Sequence, residues 1–86
     1  MTMHILTAFP TYESGPGWSN SLIRIIAIID GEQREVCLQP DEQTPEMKHL
    51  FALCAAANVA MTRAVERAMR KDGPAKASIL QQIGEE

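Results

Sequence analysis

The residues best able to do nucleophilic or metal chemistry are two cysteines and two histidines. Cys54 follows His49 by five positions. Five residues turn a helix by about 500°, so the two side chains do not share a helix face. Cys54 also lies in an apolar run, where a cysteine packs as a small hydrophobic side chain. With Cys37 and His4 added, the set still lacks the short ligand spacings of zinc modules. The sequence therefore predicts no catalytic cysteine and no metal site.

The remaining polar groups do not form an active site either. None of the acidic residues lies within an apolar run, which is where general acids with a raised pKa are found. The turn from Ser14 to Gly17 is not followed by the lysine and the helix of a phosphate-binding loop. We therefore expect a protein that is not an enzyme and that binds no cofactor.

Two groups of residues could instead bind a partner. Tyr12 and Trp18 lie in a predicted loop, residues 11–20, that is rich in Gly, Pro and Ser. A basic stripe follows near the end of a predicted helix and consists of Arg63, Arg67, Arg70 and Lys71. Trp, Tyr and Arg are the residues that dominate interface hot spots. The alternatives are that Trp18 folds back onto a sheet and that the stripe is a solvated helix end, favoured by the helix dipole.

Three strands are predicted to precede the helices. Residues 3–9 form a short strand that Pro10 ends, and residues 21–29 form a strand dense in β-branched residues. Asp30-Gly31 is a strong signal for a two-residue type I′ turn, so residues 32–39 should return as a third strand. This turn pairs Ile25 with Val36 and Ile23 with Leu38. The order of the strands stays open, and a meander is one solution.

A long helix is predicted from residue 45 to residue 72. Thr44 is a capping hydroxyl, Pro45 suits the first helical position, and Gly73-Pro74 stops the helix. About 28 residues at 1.5 Å each give a length of about 42 Å. A short helix, residues 74–83, should follow. The predicted fold is α+β, one domain over residues 1–86, with a three-stranded antiparallel sheet packed on one long helix.

The first half of the long helix is apolar all round, so the small sheet cannot cover it alone. The short C-terminal helix or a second copy of the chain could provide the second cover, and we expect a homodimer. The predicted dimer interface follows the apolar stripe of the helix and consists of Leu50, Phe51, Cys54, Ala57, Met61 and Ala64.

Composition and charge agree with a small globular protein. The chain has 86 residues, of which 45% are apolar and 22% charged, with a net charge of −3. Acidic residues concentrate in residues 30–46 and basic residues in residues 63–76, which can steer a partner. No secretory signal pattern is recognisable, and the longest apolar stretch is too short to span a bilayer. We expect a cytoplasmic protein with reduced cysteines.

The leading prediction is a non-enzymatic protein-binding module, a homodimeric inhibitor or adaptor. By analogy of size and acidity, it could be encoded by a phage or mobile element and act on a host defence or regulatory protein. One alternative is a dimeric nucleic-acid-binding regulator that uses the basic stripe, although an acidic chain disfavours it. Another is a small enzyme or ligand carrier with a pocket at the dimer seam.

Overall fold

The computed structural model describes residues 2–53 and 58–84 of the chain. Strands β1 (Met3–Gly15), β2 (Trp18–Ile29) and β3 (Glu32–Leu38) come first. A 3-10 turn (Pro40–Glu42) leads to helices α1 (Pro45–Leu53), α2 (Asn58–Arg70) and α3 (Pro74–Gly84). The described residues form an antiparallel three-stranded sheet and three helices, so the predicted α+β class is confirmed.

The sheet is a meander with the order β1-β2-β3. The predicted β2–β3 hairpin is confirmed, with Ile25 opposite Val36 and Ile23 opposite Leu38. Its turn residues have φ values of +49° at Asp30 and +87° at Gly31, as a type I′ turn requires. This local turn chemistry explains why the register could be derived from the sequence.

The predicted loop at residues 11–20 is wrong, because β1 and β2 continue through it as a two-stranded ribbon. The strands stay paired as far as Gly15 opposite Trp18, and only Pro16 and Gly17 form the turn. Pro10 does not end β1. It lies two residues from Ala8, whose N–H points away from β2 to the Thr62 hydroxyl at 2.8 Å. The missing N–H of Pro10 therefore falls on the open edge of the sheet, where it costs no ladder hydrogen bond.

The single long helix is also wrong in this structure, because α1 and α2 fold back against each other. In one continuous helix, Glu46 and Arg67 would lie about 31 Å apart. Instead Arg67 Nε donates to Glu46 Oε2 at 3.3 Å, and Arg67 Nη2 contacts Glu46 Oε1. The molecule itself extends only 38 Å, so a helix of about 42 Å would overhang the sheet. The fold-back lets both helices bury apolar side chains in one core.

The core lies between one face of the sheet and the helices. The inward side chains of β2 are Ile23, Ile25, Ala27 and Ile29, and none of them is more than 1% exposed. The helical side chains that meet them are Met47, Met61, Ala64, Val65, Ala68, Ala75 and Ile79. Thr44 caps α1 as predicted, accepting the Met47 N–H at 3.2 Å.

Candidate protein-binding surface

Among residues 2–53 and 58–84, the helices pack on the first face of the sheet only, and this leaves the second face open. Side chains alternate along a strand, so Leu22, Arg24, Ile26 and Ile28 of β2 point to this second face. Leu22 is buried and Ile26 is half-buried, whereas Ile28 is 37% exposed. A solvated face of an antiparallel sheet is ordinarily polar. Here the central strand presents three aliphatic side chains, and we call this surface the open face.

The flanking strands give the open face a paired charge at its centre. In the register of the sheet, Arg24 lies between Phe9 of β1 and Cys37 of β3. Its guanidinium donates to the Glu35 carboxylate at 2.6 Å, and this hydrogen bond raises the pKa of Arg24. The pair leaves little net charge on the face. A partner would therefore meet aliphatic surface interrupted by this ion pair, with the exposed carboxylate of Glu13 nearer the tip of the β1–β2 ribbon.

Trp18 extends the open face to the tip of the β1–β2 ribbon. It lies an even number of residues from Leu22 and so points to the same side of β2. The indole covers Gly15 across the ribbon, because a Cβ placed on Gly15 would clash with the Trp18 ring. Trp18 nevertheless remains 53% exposed. The tip thus carries an aromatic side chain that is supported from below and open to solvent.

Tyr12, which the sequence grouped with Trp18, lies on the other face. Its ring contacts Phe51 of α1 edge-on, with the ring centroids 5.6 Å apart and the planes at 75°. Tyr12 is still 67% exposed. The two aromatic residues therefore do not form one patch, and only Trp18 belongs to the open face.

The basic stripe is divided among different surroundings. Arg67 is engaged with Glu46 between α1 and α2. Arg63 and Arg70 are exposed beside the edge of β1. Lys71 lines a cleft beside Thr44 and Ala68. Arg63, Arg67 and Arg70 share one side of α2, but Glu46 neutralises Arg67, so the charge of the stripe is reduced at its centre.

Both edges of the sheet are closed at one point by a helical side chain. Gln82 of α3 accepts the Cys37 N–H of β3 at 2.8 Å and donates to the Cys37 carbonyl. On the other edge, Thr62 accepts the Ala8 N–H. Such caps block edge-to-edge pairing, which unprotected strands invite. Sequence reasoning missed both residues, because a polar residue within a helix gives no sign that it will meet a strand edge.

The predicted dimer interface is only partly at the surface of the described residues. Met61 and Ala64 lie in the chain's own core, at 0% and 2% exposure. Leu50 and Phe51 are half-buried and pack against that core. Cys54 and Ala57 lie outside the described residues. Leu53 and Val59, which are not in the predicted interface, are 65% and 62% exposed.

The candidates for chemistry are dispersed in the structure. Cys37 is a half-buried free thiol on the open face, and burial raises its pKa despite the opposing effect of Arg24. A raised pKa disfavours the reactive thiolate. His4 and His49 are both exposed. Within residues 2–53 and 58–84, no three His, Cys, Asp or Glu residues come together as a metal site.

Comparison with known proteins gives no relative. The chain matches no family model, no curated protein and no solved structure. In the part of the chain that the structure describes, no helix is long and apolar enough to cross a membrane.

Proposed function

We propose that this protein is a non-enzymatic protein-binding module, an inhibitor or adaptor, whose protein partner docks on the open face of the sheet. The observation that carries the proposal is that Trp18, Leu22, Ile26 and Ile28 lie on one side of β2, interrupted by Asn20 and Arg24, with the helices on the opposite side. An exposed aliphatic face with an aromatic anchor is typical of binding surfaces.

The side-chain caps at Ala8 of β1 and Cys37 of β3 favour docking on the face. A partner strand added to β3 would have to displace Gln82, and one added to the middle of β1 would have to displace Thr62. The face needs no such rearrangement, because Ile28 and part of Ile26 are already exposed there. Burying them supplies the free energy of association.

The charge of the open face indicates how the partner is recognised. Arg24 and Glu35 are paired with each other, and Glu13 adds a single exposed carboxylate near the ribbon tip, so electrostatic attraction of a charged partner is weak. Exposed charges are screened by salt, whereas apolar contacts are not. Affinity for the partner should therefore change little between low and physiological ionic strength.

The proposal includes a homodimer, formed near the junction of α1 and α2 and away from the open face. The exposed side chain of Leu53 and the half-buried Leu50 and Phe51 support it, because they leave apolar surface on α1. Two open faces in one dimer would let an inhibitor or adaptor hold two partner molecules. Light scattering of the native protein tests the dimer against the monomer mass of 9.5 kDa.

A nucleic-acid-binding regulator is the less favoured alternative. It needs a continuous basic surface to neutralise phosphates. Arg67 is instead engaged by Glu46, and the net charge of −3 opposes binding to a polyanion.

The experiment that tests the proposal compares the proteins retained by immobilised native chain with those retained by Ile28→Asp. The matched control is Gln81→Asp, which puts the same charge on an exposed position of α3. We expect the retained amount of at least one protein to fall about tenfold with Ile28→Asp, because the variant buries a charge against an apolar partner surface. Gln81→Asp should retain the same protein in the same amount as the native chain does. Equal retention by both variants, with circular dichroism unchanged, would overturn the proposal.

A further inference from the structure

One end of the β1 edge has backbone groups available for another strand. The Thr2 carbonyl accepts the Asp30 N–H at 3.0 Å, so Thr2 faces β2. Backbone direction alternates along a strand, and the groups of Met3 and Ile5 therefore point away from the sheet. The register shift between Ile5 and Thr7 follows this stretch. In the described part of the chain, no partner is seen for the outward groups of Met3 and Ile5.

A groove runs beside this free edge, between β1 and α2. Its first part has a volume of about 350 Å³ and is lined by Met3, His4 and Ile5 on one side and by Met69 and Arg70 on the other. A second part of about 430 Å³ continues along Leu6 and Thr7 to Arg63. Glu66 lines both parts. The groove therefore combines a strand edge with a floor that is partly apolar.

The charge along the groove indicates what would lie in it. Arg63 and Arg70 are exposed, and neither forms an ion pair with another described residue. They lie two helical turns apart, about 10.5 Å along α2. Glu66 between them is the single acidic group in the lining. The arginines outnumber it, so the groove favours carboxylates.

We propose that the Met3–Ile5 edge and the Arg63–Arg70 face of α2 form a second docking site, which takes an acidic extended segment of a partner protein as an added strand. The main chain of the segment bonds to Met3 and Ile5, and alternate carboxylate side chains point to the two arginines. Side chains recur every 6.8 Å on one face of a strand, so carboxylates two or four positions apart come within reach of both flexible guanidiniums. This site does not depend on the open face.

The probe that tests the second site is a capped peptide of alternating Glu and Thr, titrated into ¹⁵N-labelled native protein. We expect shifts of the Met3 and Ile5 amide signals and of α2 signals, with a dissociation constant below about 1 mM. The same peptide with Lys in place of Glu should cause no such shifts. The double variant Arg63→Ala/Arg70→Ala should weaken binding about tenfold, since the carboxylates lose their partners.

A third peptide separates strand addition from simple charge attraction. It carries N-methyl groups on the amides that would face β1 and keeps every carboxylate. Strand addition predicts loss of binding, because the methyl groups remove the donors and block approach to the edge. Binding of the methylated peptide equal to that of the parent would overturn the proposal. So would the absence of shifts at Met3 and Ile5 with the acidic peptide, or shifts confined to the ribbon tip.

Discussion

At the scale of single residues, the strand β2 uses the same residue type for two different purposes. Ile25 is completely buried against the helices, whereas Ile28, three positions along, is 37% exposed on the open face. Alternation along the strand decides which side chain belongs to which face. The sequence contained this alternation, but it could not say which face the helices would cover.

Alanine substitutions distinguish the two faces by stability. Ile25→Ala should cost about 2–5 kcal/mol of unfolding free energy, because it leaves a cavity in a packed core. Ile28→Ala should cost less than about 1 kcal/mol, because the side chain is already partly in water. Urea denaturation followed by circular dichroism measures both. Similar losses of unfolding free energy at the two positions would mean that Ile28 is packed as tightly as Ile25, which contradicts an exposed second face.

At the scale of the elements, local signals predicted the β2–β3 hairpin and the start of α1, and long-range contacts decided the rest. The Asp30-Gly31 turn fixes its own register, and Thr44 caps its own helix. The pairing of residues 11–15 with residues 18–22 involves few β-branched residues and was not apparent. The ribbon is stabilised by Trp18 over Gly15 and by Tyr12 against Phe51, contacts that only the folded chain creates.

The fold-back of α1 on α2 can be tested with a crosslink. In a background of Cys37→Ser and Cys54→Ser, the double variant Glu46→Cys/Arg67→Cys should be bridged within one molecule by a short bismaleimide. The helical hairpin brings the ends of the two native side chains into contact, so a short linker spans the gap, whereas one continuous helix would separate the positions by about 31 Å. Mass spectrometry of dilute protein detects one linker attached at both ends. Thiols that remain free, or that link only between molecules, would favour the continuous helix.

At the scale of the whole molecule, part of the charge asymmetry of the sequence is neutralised by an ion pair within the fold. The acidic segment, which ends in the first turn of α1, and the basic segment of α2 meet at the Glu46–Arg67 pair. An exposed pair of this kind stabilises by no more than about 1 kcal/mol, so its main effect is on orientation. It also removes Arg67 from any basic docking surface. The surfaces left for partners are the open face and the groove beside β1.

The most direct test of the open face is photo-crosslinking in cells that express the protein. A photoreactive phenylalanine analogue replaces Ile28 in one variant and the exposed Gln81 of α3 in the control. We predict a crosslinked product of discrete mass from position 28, formed with a foreign protein, and none of that mass from position 81. If position 28 gives no product, or the same products as position 81, the open face is not the binding surface. A crosslinked product from position 28 with twice the monomer mass of 9.5 kDa would also contradict the account, because it would make the open face the homodimer interface.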